Sequence, residues 1–249
     1  MKPLKTLISL LPGGKRLAER RSERRRRKKL SRLGDAEQIF THYYEVNQWK
    51  DPESLSGVGS TIANTRNIRR ELPGLLGKLG VRSFLDAPCG DYNWFRELRP
   101  DVELKYIGGD IVRSLVEKNQ EEFGVEDTRF IQLDIARDPL PPVDLWMCRD
   151  CLIHLSFNDI RSVLRQFFES KIDYLLTTVH TECDVNKDIP TGDFRLLNLE
   201  REPFLFPEPS LYVDDSAETL PTRAMGLWGR QALESAMIGN AWFEEDDGA

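Results

Sequence analysis

The stretch Phe84-Leu85-Asp86-Ala87-Pro88-Cys89-Gly90-Asp91-Tyr92-Asn93-Trp94 runs from apolar residues through an acidic residue into proline, cysteine and glycine. A short apolar run that ends in turn-forming residues predicts a buried strand followed by a tight loop. Within that loop, Gly90 allows the backbone to approach a ligand closely. We therefore interpret the stretch as the first strand end of a nucleotide-type binding site.

The rest of the chain has the pattern of one α/β domain. Its 249 residues are 40% apolar, which is enough to bury one sizeable core. Short apolar runs alternate with helical patterns, and this predicts a doubly wound, mostly parallel sheet. The predicted strands are 82–87, 104–109, 129–133, 143–148 and 172–179, and the predicted helices include 92–98, 112–122 and 157–169.

Acidic residues follow three of the predicted strands, namely Asp86, Asp110 and Asp134. Ligands of parallel sheets bind outside the carboxyl ends of the strands, so the three should face one crevice. Asp110 suits the two hydroxyls of a ribose, and Asp134 suits the exocyclic amine of an adenine. With Gly90 they describe an adenosine-shaped site. The Gly-x-x-x-x-Gly-Lys-Ser/Thr and Gly-x-Gly-x-x-Gly motifs are absent from the sequence, which argues against phosphate hydrolysis and against a dinucleotide.

These residues resemble the motifs of the class I S-adenosylmethionine-dependent methyltransferase family. The segment 85–91 resembles the first motif, 106–111 the second and 144–150 the fourth. The continuation 151–156 resembles the segment after the fourth strand in small-molecule methyltransferases, and the resemblance covers about residues 40–233. It implies a seven-stranded sheet with a reversed last strand, for which Met225 to Leu233 is the candidate.

The resemblance also assigns the cofactor, S-adenosylmethionine, to particular residues. It implies that the loop from Asp86 to Gly90, including Pro88 and Cys89, wraps the methionine part. Asp110 with Ile111 would hold the ribose, and Asp134 with Ile135 would border the adenine. The first motif departs from the family pattern, because Pro88 and Tyr92 stand where glycine is usual. We expect a stiffer loop and not a lost site.

His154 and Asp150 are the candidate catalytic residues. The resemblance places His154 near the transferred methyl group, where a neutral imidazole would take the proton of a hydroxyl acceptor. A packed, structural histidine is the alternative. Asp150 and Arg149 follow the fourth strand directly and would position cofactor or acceptor, or else simply pair with one another.

Further candidates come from outside the strand ends. Trp49 and Arg66 would cover the cofactor and hold its carboxylate, although aromatic residues at helical spacing are more often core. His180, Asn186 and Arg195 would contact the acceptor, and a polar loop that satisfies its own backbone is the alternative. Cys148 and Cys151 have Cys-x-x-Cys spacing but no second pair at zinc-ribbon distance, so we predict buried thiols and no metal.

The first third of the chain divides into an arm and a helical region. Residues 1–34 form a basic N-terminal arm, disordered or helical, and residues 35–249 form the methyltransferase domain, with N-terminal helices at 35–80 and an acidic C-terminal end. A Gly-Ser loop at 54–60 leads into a predicted helix over 61–72, which Pro73-Gly74 should break. Backbone N–H groups of the loop are candidates for binding an anion.

Charge is distributed unevenly between the two parts. Residues 1–32 hold 13 Lys or Arg against two Glu, a net +11, whereas the remainder is −17. The arm is either a solubilising tail or a contact for an anionic membrane surface or for nucleic acid. Four cysteines do not make a disulfide framework, and the N-terminal Leu-Ile-Ser-Leu-Leu run is too short for a signal peptide. We expect a cytoplasmic protein, peripheral to a membrane if the arm binds one.

The sequence thus predicts an enzyme that transfers a methyl group to an oxygen or nitrogen of a small-molecule or glycan-like acceptor. Two alternatives remain at this point. One is an RNA methyltransferase that uses the basic arm, against which stands the acidic character of the rest of the chain. The other is an S-adenosylmethionine-binding protein without catalysis, suggested by the missing glycines around Gly90.

Overall fold

The structure, a computed structural model, describes residue 22 and residues 24–244. One mixed sheet of seven strands organises this part of the chain. The strands are β1 (Ser83–Asp86), β2 (Lys105–Asp110), β3 (Thr128–Gln132), β4 (Leu145–Cys148), β5 (Tyr174–Val179), β6 (Leu211–Asp214) and β7 (Ala224–Gly229). Their order across the sheet is β3-β2-β1-β4-β5-β7-β6. The first five are parallel, and β7 is antiparallel to both of its neighbours.

The order of the strands fixes where a ligand can bind. The chain moves outward from β1 to β2 and β3 and then returns to the other side of β1 with β4. A crevice therefore opens at the carboxyl ends of β1 and β4, where the direction of winding reverses. The predicted α/β sheet is confirmed, and so is the reversed strand proposed within Met225 to Leu233.

Helices cover both faces of the sheet. They are α1 (Ala36–Glu45), α2 (Arg66–Leu79), α3 (Phe95–Leu98), α4 (Arg113–Phe123), α5 (Phe157–Glu169), α6 (Arg230–Met237) and α7 (Ala241–Glu244). Two start with side-chain caps: Asp35 forms a reciprocal capping box with Gln38 at α1, and Ser156 accepts a hydrogen bond from the Asp159 N–H at α5. Single 3-10 turns lie at Val58–Ser60, Arg99–Asp101 and Leu152–His154.

Two hydrophobic clusters lie on opposite faces of the sheet. Phe84 belongs to one cluster and Leu85 to the other, as the alternation of side chains along a strand requires. Apolar residues of α2 and α3 complete the Phe84 cluster, while those of α5 and α6 complete the Leu85 cluster. β1 is thus buried on both faces, and the loop that follows it starts from a fixed position.

The predicted end of a helix at Pro73-Gly74 is wrong. α2 begins at Arg66 and continues through Pro73 to Leu79. A proline inside a helix costs about 3 kcal/mol, but burying a leucine side chain contributes about 1.5–3 kcal/mol. Leu75 and Leu76, which follow the proline, are both buried in the core. Their burial offsets the lost hydrogen bond and carries the helix onward.

The basic arm is described only from its last third. Residues 24–30 are helical, and Leu30 is buried while the preceding Arg and Lys residues are exposed. Arg26 pairs with Asp193, with 3.0 Å between Nη1 and Oδ1. The predictions for residues 1–21 and 23, and for the acidic C-terminal end beyond residue 244, lie outside the described residues. Within the described chain, no helix has both the length and the apolar character to cross a bilayer.

Candidate functional site

A cavity of about 440 Å3 lies at the carboxyl ends of β1, β2 and β4. The strand-end loops, α1 and the Gly-Ser loop at 55–60 form its walls. Most of the residues predicted for the site come together here. Those that line the cavity are Trp49, Asp86, Pro88, Cys89, Gly90, Asp110, Ile111, Asp134, Ile135, Arg149, Asp150 and His154.

Gly90 is the tightest point of the loop after β1. Its φ is +54°, a left-handed conformation that residues with a side chain rarely adopt. A Cβ at this position would lie 2.1 Å from the Ser56 hydroxyl oxygen. The Gly90 N–H donates to the Asp110 carboxylate over 3.1 Å, which links the ends of β1 and β2. Glycine is therefore required here by both backbone conformation and space.

Asp91 fastens the Gly-Ser loop to the loop after β1. Its carboxylate accepts hydrogen bonds from the Ser54 hydroxyl at 2.9 Å, the Leu55 N–H at 2.7 Å and the Ser56 hydroxyl at 3.1 Å. The Asp91 N–H in turn donates to the Ser56 hydroxyl oxygen. The predicted loop at 54–60 is thus an ordered wall of the cavity, although the helix that it was predicted to enter begins only at Arg66.

The acidic side chains of this cavity differ in their surroundings. Burial raises the pKa of Asp110 to about 6, even though its carboxylate accepts backbone hydrogen bonds from Gly90 and Val112. Burial also raises the pKa of Asp86 to about 7, opposed by the hydrogen bond from the Tyr106 hydroxyl. Desolvation raises the pKa of the half-buried Asp134 as well. The free cavity therefore holds carboxylates that a cationic or hydrogen-bond-donating ligand would stabilise.

Two arginines and two aspartates form a buried network at one end of the cavity. Arg149 pairs with Asp215 at 3.0 Å and lies 3.5 Å from Asp150. Arg223 pairs with Asp150 and with Asp215, both at 2.8 Å. Arg149 also donates to the Gly59 carbonyl and stacks on Trp94. The network joins the ends of β4 and β6 to the start of β7 and to the Gly-Ser loop.

His154 sits in a 3-10 turn after β4, with its tautomer set by a hydrogen bond. Its Nδ1 lies 2.8 Å from the Asp193 carbonyl oxygen. A carbonyl only accepts, so we assign the hydrogen to Nδ1 and the free lone pair to Nε2. Among the described residues nothing hydrogen-bonds to Nε2. Burial lowers the pKa of His154 below its ordinary value, which keeps the ring neutral near pH 7.

Four predicted residues do not line the cavity. Arg66 is exposed at the start of α2, and buried His180 lies 3.4 Å from the Leu197 N–H. The Asn186 amide donates to the carbonyls of its own loop. Buried Arg195 donates to the Leu155 carbonyl and stacks on Phe157. For His180, Asn186 and Arg195 these contacts match the alternative of a polar loop that satisfies its own backbone, and their contact with an acceptor stays a prediction.

The structure adds residues that the sequence analysis did not single out. Arg223 and Asp215 flank β6 and β7, where the sequence predicted one late strand and no β6, so nothing marked them as strand ends. One amino nitrogen of Arg223, Nη2, is buried without a partner among the described residues. Phe194 lines the cavity although its loop reads as polar. An aromatic residue in an otherwise polar loop was the one available signal in the sequence.

The cysteines are free thiols: Cys148 is buried in β4, and Cys151 is half-buried. Burial raises the pKa of Cys89 well above its ordinary value, with added repulsion from Asp110. In the part of the chain that the structure describes, no group of three or more potential ligands is arranged to hold a metal ion. The charged and ionisable groups that line the cavity include carboxylates, guanidinium groups, the thiols of Cys89 and Cys151, and the imidazole of His154.

The fold is shared with solved methyltransferases. A SAM-dependent methyltransferase from Leishmania major aligns with a TM-score of 0.56 at 15% identity, over 79% of this chain and 86% of that one. Magnesium protoporphyrin IX methyltransferase from Synechocystis PCC 6803, solved with bound SAM, aligns with a TM-score of 0.51 at 14% identity, over 79% of this chain and 97% of that one. No protein-family model matches the sequence. The search of curated proteins finds no match by sequence.

At these identities the likeness concerns the fold alone. The strand order, the reversed β7 and the position of the crevice define the class I S-adenosylmethionine-dependent methyltransferase fold.

Proposed function

We propose that this protein is an S-adenosylmethionine-dependent methyltransferase that methylates an oxygen or nitrogen of a small-molecule or glycan-like acceptor. One observation carries the proposal: the cavity at the switch point of a methyltransferase fold collects Gly90, Asp110, Asp134 and His154. The first three are the residues that the sequence predicts for an adenosine, and the fourth is a neutral base. The two solved structures described above, which share this fold, are both methyltransferases that use SAM.

The residues of the cavity fit the cofactor in charge and in shape. Buried Asp110 has the acceptor character that ribose hydroxyls need, and Ile111 and Ile135 provide apolar walls. Gly90 lines the cavity in a left-handed turn that fixes the course of the loop beside the ligand. The guanidinium groups of Arg149 and Arg223 line the cavity and, although Asp150 and Asp215 balance their charge, they are the donors that suit an amino-acid carboxylate. We assign this carboxylate to the network and not to Arg66.

When bound, S-adenosylmethionine supplies an electrophilic methyl group on a cationic sulfur. The protein's part is to hold the acceptor in line with that group and to exclude water. The Asp193 carbonyl holds His154 in the tautomer whose Nε2 accepts a proton. His154 would take the proton from the acceptor's hydroxyl or ammonium group as the methyl group is transferred, and release it to solvent. Asp150 stabilises the resulting imidazolium through its negative charge.

Calorimetry with S-adenosylmethionine and with its demethylated product tests the first half of the proposal. We expect each ligand to bind with a stoichiometry of one per chain, and we expect Gly90→Val to bind neither ligand. Transfer of a labelled methyl group into fractions of a cell extract then tests the second half. Binding without transfer into lipid, glycan, RNA or small-molecule fractions would favour the non-catalytic alternative. No binding of either ligand would contradict the proposal.

A further inference from the structure

A second cavity of about 290 Å3 adjoins the first and shares three residues with it, Trp49, His154 and Phe194. The rings of these residues stand next to one another, with centroids 6.3 Å apart between Trp49 and His154 and 5.7 Å apart between His154 and Phe194. Tyr43 extends this row, 5.6 Å from Trp49. The base of the proposed reaction therefore stands where the two cavities meet, in a wall of aromatic rings.

The two cavities have opposite charge. The first is lined by five aspartates against three arginines, Arg137, Arg149 and Arg223, which leaves it acidic. The second is lined by Arg26 and Lys29, with Asp193 as its acidic residue. Both cations belong to the run 24–29, in which every residue is Arg or Lys. The first cavity thus suits a ligand with a cationic sulfur, and the second suits an anion.

Arg26 is also connected to His154. Its Nη1 lies 3.0 Å and 3.3 Å from the two carboxylate oxygens of Asp193. The backbone carbonyl of the same Asp193 holds Nδ1 of His154. The Arg26 side chain is 59% exposed, so it can take a second anionic partner from solvent while it stays near Asp193. An anion bound at Arg26 would lie beside the residue that orients the base.

We propose that the second cavity is the acceptor site and that the acceptor is a ring-containing molecule with an anionic oxyacid group, such as a carboxylate, sulfate or phosphate. This inference rests on the methyltransferase function proposed above. Arg26 and Lys29 bind the anionic group, and the rings of Tyr43, Trp49 and Phe194 pack against the face of the acceptor ring. Arg26 and Lys29, and not the other residues of the run 24–29, are then part of the acceptor site.

This assignment is tested by transfer of a labelled methyl group into a cell extract. The extract comes from the source organism after deletion of the gene for this protein. The extract is separated by anion exchange after a size cut and nuclease treatment. We expect the label in small, retained material. Ultraviolet absorbance of the labelled product would identify an aromatic acid, and periodate sensitivity would identify an acidic sugar. Label in the unretained fraction, or in material that nuclease destroys, would overturn the proposal.

Two matched double variants distinguish binding of the anion in the second cavity from a general effect of positive charge on the arm. Arg26→Gln with Lys29→Gln should raise KM for the retained acceptor about tenfold, with little change in kcat, since each exposed ion pair contributes modestly. Arg25→Gln with Lys28→Gln removes the same charge from the same run outside the cavity and should leave KM unchanged. Added salt should raise the wild-type KM and affect the first variant less.

The outcomes distinguish this inference from the function on which it rests. Equal KM values for the two double variants would overturn the acceptor site while leaving the methyltransferase intact. Absence of cofactor binding by calorimetry would remove both. If both double variants raise KM alike and salt acts on them equally, the arm attracts anions at long range and the second cavity is not the acceptor site.

Discussion

His154 shows how a single hydrogen bond decides what a side chain can do. The sequence placed a histidine after the fourth strand but left its role open between a base and a packing group. The structure supplies two facts, the bond from Nδ1 to the Asp193 carbonyl and a pKa lowered by burial. Together they describe a ring that is neutral at pH 7 and has its lone pair on Nε2.

We expect His154→Gln to lower kcat by about 100-fold or more, because the acceptor proton loses its base. Cofactor affinity should stay within a factor of two, because the substitution leaves the strand-end carboxylates in place. Steady-state kinetics and calorimetry measure the two effects. His42→Gln, the same change outside the cavity, is the control. Wild-type turnover in His154→Gln would show that the histidine is structural.

Asp110 provides a prediction in pH. Its pKa is about 6 in the free protein, and ribose hydroxyls need the ionised form as acceptor. Cofactor affinity should therefore be highest above pH 7 and fall about tenfold by pH 5, one unit below the pKa. Calorimetry across this range should show an inflection near pH 6 that Asp110→Asn lacks. Constant wild-type affinity from pH 7 to 5 would contradict the assignment.

The raised pKa of Asp110 has the opposite effect on folding stability, which decreases as pH rises. A folded pKa of about 6 lies above the ordinary value of 3.8. The stability that Asp110 contributes is thus complete below about pH 4 and is lost as pH rises through 6. Asp86, with a pKa of about 7, acts in the same direction. At neutral pH the ligand-free protein therefore carries two buried carboxylates that lower its stability.

In the proposed function, the loop after β1 is the element on which cofactor binding depends. Gly90→Ala introduces a Cβ in a left-handed conformation, which costs about 1–2 kcal/mol, and displaces the Ser56 hydroxyl. We expect cofactor affinity to fall at least tenfold and unfolding in urea to shift to lower concentration. Gly74→Ala is the control, because a Cβ there meets nothing within 4 Å and the helix should gain about 1 kcal/mol.

If both alanine variants bind the cofactor equally, the loop does not wrap it. The larger Gly90→Val should abolish binding outright. A loss of stability without a loss of affinity in Gly90→Ala would limit the role of Gly90 to fixing the turn between β1 and Asp91.

The elements that the sequence predicted well are those with a strong local pattern. Buried β1, β2 and β4 read as apolar runs with sharp ends. Met225 to Leu233 read as one late antiparallel strand, and the resemblance assigned it to the reversed β7. α2 was mispredicted because a local breaker, Pro73, was overruled by burial of leucines that only the tertiary structure supplies. β6 was not predicted because it is a short edge strand with two exposed residues, Leu211 and Tyr212.

The same reasoning explains which parts of the site the sequence revealed. Strand-end acids lie at predictable places, so Asp86, Asp110 and Asp134 followed from the strand pattern. Arg223 and Phe194 come from irregular segments, where position in the chain does not determine position in space. Asp91 lay within the stretch that first indicated the site, but its contacts with the loop at 54–56 depend on tertiary packing.

At the scale of the whole molecule, the Arg149 and Arg223 network joins the two halves of the sheet. Arg149 follows β4 at its centre, whereas Asp215 follows the edge strand β6 and Arg223 precedes β7. The side chain of Asp215 is fully buried between the two guanidinium groups. A change at the sheet edge should therefore affect both the stability of the fold and the cavity wall.

Asp215→Asn removes the carboxylate between two buried arginines and leaves Asp150 to neutralise both. We expect the free energy of unfolding to fall by about 3–5 kcal/mol, because an uncompensated charge stays buried. Cofactor affinity should fall as well, since Arg149 and Arg223 line the cavity. Urea unfolding and calorimetry measure the two effects. Asp214→Asn, one residue away, removes the negative charge that strengthens the hydrogen bond from the Ser216 N–H and should cost about 1 kcal/mol. Equal losses in the two variants would show that the network adds nothing beyond an ordinary hydrogen bond.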